Sequence, residues 1–335
     1  MAHVGGPVAL PTRTFQWLPE AVLLSSPEPA LRRAPRVDPE AARSPSAQAA
    51  ASIVASFGLT PQRPAMPQVP VSKRLDFCRR LAAEAGHMAH AAFGSPSISL
   101  KGRHDEVTAM DSAVERFIRA AIAKAYPGEG VLGEEDGASE GVAAAARVWI
   151  IDPIDGTANY ARSIAHYCVS IGCVENGVPI VGALHDPSHE RLYFAERGHG
   201  AWMSEGSGEA RRLAVSPVAS LDKATVECGW SLRRPQADYL DMVKRVLDAG
   251  CSFRRSGSGA LGLADVAAGR VEGYCELHIN SWDCAAGLLL VSEAGGRVND
   301  FFAGAGLLEG NPLLATNGAL AGPLAAVTGI ALHNA

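Results

Sequence analysis

Five acidic side chains, Asp111, Glu134, Asp152, Asp155 and Asp283, sit in contexts that could serve a hydrolytic centre together with the pair Gly156-Thr157. The densest context is Val148-Trp149-Ile150-Ile151-Asp152-Pro153-Ile154-Asp155-Gly156-Thr157-Ala158-Asn159-Tyr160. Its first residues are β-branched and aromatic, the signature of a buried strand. The strand is expected to break at Asp152-Pro153, because proline cannot extend a ladder. Two carboxylates at the end of a buried strand are costly unless a cation lies between them. A divalent metal with oxygen ligands is the simplest such cation. Gly156 lets backbone approach a ligand closely, and Thr157 adds a hydroxyl. Taken alone, Asp-Pro-x-Asp-Gly is equally an ordinary strand-ending turn.

Each remaining candidate also has two readings. Gly133-Glu134-Glu135-Asp136 is either a solvated charge run or a loop that swings Glu134 toward Asp152. Thr108-Ala109-Met110-Asp111 has the spacing of a capping box, and a carboxylate fixed there could also accept a proton from the Thr157 hydroxyl. Asn280-Ser281-Trp282-Asp283 opens a small-residue helix. Its acid either complements the helix dipole or supplies a third carboxylate to a metal pair. Gly257-Ser258-Gly259-Ala260-Leu261-Gly262 matches G-x-G-x-x-G, with Glu276 further on. It reads as a dinucleotide fingerprint or as a tight strand–helix turn with no ligand. There is no H-E-x-x-H among the ten histidines; His185 and His189, around Asp186-Pro187, read as loop residues.

These groups need elements to position them. Periodicity predicts a helix over Lys73–Phe93, a short segment at Ile98–Lys101 and a second helix over Ala109–Ala125 with Val114, Phe117, Ile118, Ala121 and Ile122 inward. An antiparallel meander follows at Cys168–Val174, Ile180–His185, Leu192–Ala195 and Leu213–Val215. Then strands and helices alternate: Thr225–Cys228, Tyr239–Leu247, Ala260–Ala268, Val271–Glu276, Trp282–Glu293, Val298, Leu313–Thr316 and a last helix near Leu320–Ala331. The pattern is α+β followed by α/β, with sheets layered between helices. Residues 1–70 are expected to be a disordered Pro/Ala-rich extension, because they hold twelve of the 21 prolines and no lysine. The alternative start at Met66 would omit most of it. Residues 71–220 are expected to form an N-terminal α+β domain with most of the candidate metal-binding acids, and residues 221–335 a C-terminal α/β domain with Asp283 and the Gly257–Gly262 and Glu276 candidates.

Composition narrows the function. A chain of 335 residues with net charge −5 argues against a nucleic-acid or anionic-membrane partner. No apolar run approaches the roughly 18 residues of a membrane helix. Seven cysteines without C-x-x-C spacing fit buried thiols in a reducing compartment, and with no signal-peptide pattern the expected location is cytoplasmic.

Together, Val107-Thr108-Ala109-Met110-Asp111, Gly133-Glu134-Glu135, Trp149 to Tyr160, Trp282-Asp283-Cys284-Ala285-Ala286-Gly287 and Glu293-Ala294-Gly295-Gly296 resemble the inositol monophosphatase family of lithium-sensitive, magnesium-dependent phosphatases. The resemblance spans roughly Ser72 to Thr328 and implies a layered α-β-α-β-α sandwich, usually homodimeric. It implies that Glu134, Asp152 and the Ile154 carbonyl hold one Mg²⁺, that Asp152, Asp155 and Asp283 hold a second, and that a third ion can sit near Glu134 or Glu135. Thr157 and Asp111 would orient and deprotonate the attacking water, with Glu134 assisting. The N–H groups of Gly156 and Thr157 would meet the phosphate, and Lys101 matches a family lysine near the acids. Gly257, Ser258, Gly259 and Glu276 would contact the polyol.

The expected function is therefore Mg²⁺-dependent hydrolysis of a small polyol phosphate, with inositol 1-phosphate first. Histidinol phosphate, a 3′-phosphoadenosine nucleotide and fructose 1,6-bisphosphate are alternatives within the family. A dinucleotide-binding protein using Gly257–Gly262 is the alternative outside it. Tyr160, Gly259 and Asn280-Ser281 depart from the commonest family pattern, and the last two bear on substrate identity.

Overall fold

The computed structural model describes residues 72–94, 98–102 and 105–332, with backbone only between 98 and 108. The extension at 1–70 and the side chains of Lys101 and Thr108 lie outside the described residues.

The first part of the chain builds one large sheet and the helices on one of its faces. Helix α1 (Lys73–His90) starts at Ser72, whose hydroxyl accepts the Leu75 N–H at 3.1 Å. A small hairpin, β1 (Ile98–Gly102) and β2 (Asp105–Thr108), leads into α2 (Ala109–Ala125). Strands β3 (Gly130–Gly133), β4 (Gly137–Ala138) and β5 (Arg147–Asp155) are followed by the short helix α3 (Thr157–Ala161). Then come β6 (Cys168–Glu175), β7 (Val178–Asp186), β8 (Arg191–Glu196), β9 (Ala201–Glu205) and β10 (Arg211–Arg212). They form an eight-stranded sheet in the order β10-β9-β8-β7-β6-β5-β3-β4.

The second part alternates. It runs β11 (Thr225–Cys228), α4 (Gln236–Asp248), β12 (Ser252–Arg254), α5 (Gly259–Ala267), β13 (Gly273–Ile279), α6 (Ser281–Glu293), β14 (Arg297–Val298), α7 (Gly306–Glu309), β15 (Asn311–Thr316) and α8 (Ala321–Thr328). Its five-stranded sheet has the order β12-β11-β13-β15-β14.

Three apolar clusters separate five layers. One joins α1 and α2 to the large sheet through Leu81, Ile118, Trp149 and Phe194. A second places α5 and α6 between the sheets through Leu184, Leu263, Leu290 and Leu313. A third covers the far face of the small sheet with α4 and α8 through Val226, Val246 and Leu324. The α-β-α-β-α sandwich follows from these pairings, because each sheet has two apolar faces to cover. Helix α6 is apolar all round, as a helix between two sheets must be. No helix among the described residues is long and apolar enough to cross a membrane.

Several local expectations are corrected. Strand β5 does not break at Asp152-Pro153 but continues to Asp155. Its pairing with β3 ends at Ile151, and its register with β6 shifts between Asp152 and Asp155. Pro153 thus falls in an irregular stretch whose ladder does not use its missing N–H. Leu213–Val215 is not a strand; Arg211–Arg212 pairs instead, and Ala201–Glu205 is a further strand. Phe117 is 36% exposed, while Asp111 and Glu115 occupy the buried side of α2. His185 lies buried inside β7 rather than in a loop. All seven cysteines are buried and free.

Candidate active site

The acids converge because of strand direction and register. Strands β3 and β5 run parallel with Gly133 opposite Ile151. Glu134 and Asp152, one residue further along each chain, therefore emerge at the same end of the sheet, the carboxyl end of β3 and β5. Asp155 ends β5, and Asp283 sits in the first turn of α6. Ligand oxygens of Asp152, Asp155 and Asp283 all lie within 4.8 Å of one another.

Each carboxylate is fixed by local bonds. Asp152 Oδ1 accepts the Ile154 N–H at 3.0 Å. Asp155 accepts the N–H groups of Gly259 at 3.1 Å and Ala260 at 2.9 Å, and the Ser258 hydroxyl. The positive end of α5 thus already faces a carboxylate. That engagement removes the anion site a dinucleotide would need at Gly257–Gly262. Asp283 Oδ2 accepts the Asn280 N–H at 3.1 Å, so it caps its own helix and joins the cluster at once.

Burial raises all three carboxyls of the trio, and neighbouring acids add to it at Asp152 and Asp283. Burial first, then the charges of Glu134, Asp155, Asp283 and Asp111, push the Asp152 carboxyl well above the usual range. Burial also raises Asp155, against the bonds from Ser258, Ala260 and Gly259. Burial and Asp155 push Asp283 up to about 7. A bound divalent cation would relieve all three.

Thr157 opens α3, and Gly156 before it has φ 95°, a left-handed conformation that glycine adopts without strain. The Thr157 hydroxyl lies 2.9 Å from the Ile154 carbonyl and 3.3 Å from Asp111 Oδ1. Asp111 is fully buried.

Beside the trio opens a cavity of about 280 Å³. Glu134, Asp155, Gly257, Ser258, Gly259, Glu276 and Asp283 all line it, as do Trp230, Arg255, Tyr274 and Asn280. Among its described lining residues Arg255 is the one Arg or Lys. Burial pushes Glu276 up to about 8, against the hydrogen bond it accepts from Tyr274. Glu135 is not among the lining residues; its N–H is turned toward Glu115.

Three contributors escaped the sequence reading. Glu115, fully buried, accepts the N–H groups of Glu135 at 2.8 Å and Asp136 at 3.0 Å and pairs with Arg119 at 2.7 Å. It thereby holds the loop that carries Glu134. A Cβ at Gly133 would fall on that carboxylate. The available signal was the spacing of Asp111, Glu115 and Arg119, four apart on one helix beside Val114, Ile118 and Ile122. Asn159 donates to the carbonyls of His166 at 2.8 Å and Ser256 at 3.0 Å, tying the segment after β5 to the Gly257 loop. Tyr274, two residues before Glu276 on β13, donates to it at 2.5 Å.

Comparison with known proteins agrees with the fold. The model of the inositol monophosphatase family matches residues 71–331. An inositol-1-monophosphatase of Mesorhizobium japonicum is 38% identical over 251 residues, covering 73% of this chain and 92% of its own. A Nus factor SuhB of Escherichia coli K12 is 37% identical over 249 residues, covering 71% of this chain and 91% of its own. The crystal structure of the extragenic suppressor protein SuhB of Bartonella henselae superimposes with a TM-score of 0.69 at 31% identity, covering 78% of this chain and all of that one. With acids, glycines and layers in this arrangement and a family match across nearly the whole described region, the chain belongs to the inositol monophosphatase family.

Proposed function

We propose that this protein is a Mg²⁺-dependent phosphomonoesterase that hydrolyses a small polyol phosphate, inositol 1-phosphate foremost. The observation that carries the reading is the trio Asp152, Asp155 and Asp283, with oxygens within 4.8 Å, opening onto a polar cavity that reaches Glu276.

The donor set fits the metal. Hard carboxylate and carbonyl oxygens suit Mg²⁺, which retains several waters and takes substrate phosphate. Glu134, Asp152 and the Ile154 carbonyl would hold one ion, Asp152, Asp155 and Asp283 a second, and Glu134 or Glu135 a third. When bound, such ions stabilise charge on the phosphoryl oxygens and lower the pKa of a coordinated water.

The chain's own groups supply the rest. Thr157 lies between Asp111 and the Ile154 carbonyl, so a proton leaving the attacking water can pass through its hydroxyl to the Asp111 carboxylate. Glu134 assists from the neighbouring strand end. The N–H groups of Gly156 and Thr157 receive phosphate oxygens. Attack at phosphorus breaks the ester P–O bond and releases inorganic phosphate and the alcohol. Gly257, Ser258 and Gly259 line the alcohol's side, and Glu276 accepts from its hydroxyls.

The substrate alternatives are histidinol phosphate, a 3′-phosphoadenosine nucleotide and fructose 1,6-bisphosphate, because Gly259 and Asn280 both line the cavity and both depart from the common family pattern. A homodimer in the cytoplasm belongs to the same proposal, and sedimentation tests the dimer. The net charge of −5 supports a small-molecule substrate over nucleic acid. The relative named Nus factor favours a second reading, an accessory role in transcription beside catalysis.

The deciding experiment is phosphate release from inositol 1-phosphate and histidinol phosphate, side by side, in Mg²⁺ and in EDTA. Mg²⁺-dependent release that favours inositol 1-phosphate is expected. Release that favours histidinol phosphate moves the substrate, and no release from either ester with Mg²⁺ present overturns the proposal.

A further inference from the structure

Glu276 does not face the cavity as a free carboxylate. It shares β13 with Tyr274, two residues earlier, and a strand's period of two places both side chains on one face. The Tyr274 hydroxyl donates to Glu276 Oε2 at 2.5 Å. Both residues are buried, at 2% and 8% exposure, and both line the cavity.

The surrounding backbone is cut away to admit this pair. A Cβ at Gly229 would fall on Glu276 Oε2 and the Tyr274 hydroxyl. A Cβ at Gly262 would lie 2.8 Å from Cδ2 and 2.9 Å from Cε2 of the Tyr274 ring. At Gly259 it would lie 3.2 Å from the Tyr274 hydroxyl and 3.1 Å from Ile279 Cδ1. A methyl added at Gly259 would therefore be crowded. Here the space for that methyl is narrowed by a hydroxyl from across the cavity wall.

We infer that Tyr274 is a positioning residue that sets substrate specificity by fixing one oxygen of Glu276, and that Gly259 is its steric counterpart. A phenolic hydroxyl has one proton, and here that proton is committed to Oε2. Oε1 is left as the oxygen of Glu276 available to substrate, an acceptor when the carboxyl is ionised, and the Tyr274 oxygen can only accept. The wall built this way offers acceptors and rewards an alcohol that brings hydroxyl donors. It gives nothing to an aryl leaving group that has none. The inference rests on the phosphatase reading above.

The test is steady-state kinetics of the full chain at saturating Mg²⁺ with inositol 1-phosphate and with p-nitrophenyl phosphate. If Glu276 is no longer held in place, the hydrogen bond its Oε1 makes to substrate is lost, which corresponds to about a tenfold rise in KM. That rise is expected for inositol 1-phosphate in Tyr274→Phe, with a smaller effect on kcat and a several-fold smaller effect with p-nitrophenyl phosphate. Gly259→Ala should show the same bias toward the polyol ester. Combined with Tyr274→Phe the effects should be less than additive, because one of the groups the methyl would crowd is gone while Ile279 Cδ1 remains. An unchanged KM for inositol 1-phosphate in Tyr274→Phe overturns the inference, as do equal losses on both esters or additive effects in the double variant. Turnover of neither ester by the unsubstituted chain overturns the phosphatase reading, and this inference with it.

Discussion

Replacing Glu115 by alanine tests whether the Glu134 loop is held from behind or holds itself. Glu115 is fully buried on α2, and its carboxylate accepts two consecutive N–H groups, from Glu135 at 2.8 Å and Asp136 at 3.0 Å. It also pairs with Arg119 at 2.7 Å, whose side chain is 19% exposed and also donates to the Gly137 carbonyl. Breaking a buried pair by removing one partner costs about 3–5 kcal/mol. Arg119 retains some water and one carbonyl, so the lower end, about 3 kcal/mol, is the expected loss. Glu115→Gln keeps the shape and one acceptor oxygen, and should lose roughly half as much. The loop would then no longer present Glu134 in a fixed position. Outer-shell supports of a metal site are worth about 10–100-fold in affinity, and a loss in that range is expected for Mg²⁺. Urea unfolding gives the first quantity and calorimetric Mg²⁺ titration of the same preparations gives the second. Glu115→Ala with stability within about 0.5 kcal/mol of the parent, the size of an ordinary surface substitution, would refute the argument. So would a large stability loss with Mg²⁺ affinity unchanged, because that would make Glu115 a structural acid only.

Two further substitutions probe other parts of the molecule. Asp155→Asn should lower turnover of inositol 1-phosphate by at least about a hundredfold, because it removes one oxygen from the trio and turns an amide donor toward the N–H groups of Gly259 and Ala260; near-normal turnover at saturating Mg²⁺ would sink the metal assignment. Burial, with His87 and His90 nearby, lowers His185 to about 4. A histidine depressed in the folded state contributes stability that is present above its unfolded pKa near 6.5 and is lost as pH falls toward 4. The full window corresponds to about 3 kcal/mol. Urea midpoints compared at pH 7 and pH 5 should therefore fall less in His185→Phe than in the parent, and equal falls would show that His185 is not the group responsible.

The site was legible where its chemistry is local in sequence. Asp152, Asp155, Gly156 and Thr157 fall within six residues, and the turn after β5 brings them together whatever the rest of the fold does. The convergence of Glu134 with Asp152 depends instead on a parallel pairing, Gly133 opposite Ile151, and a register between distant strands leaves no local trace. Pro153 misled for a related reason. The rule that proline ends a strand assumes that the ladder needs its N–H, and between Asp152 and Asp155 the register shift removes that need. Phe117, expected inward, is 36% exposed and Glu115 is buried on α2, because apolar periodicity counts side chains by type, while the loop behind Glu134 needed an acceptor for two amides. Polar groups on an apolar stripe were thus the overlooked signal, since a charge is buried only where a partner repays its desolvation. Asp111 beside Thr157 and Glu115 beneath the Glu134 loop obey that rule. The residues whose burial looks least economical in the sequence are the ones that hold the candidate site in shape.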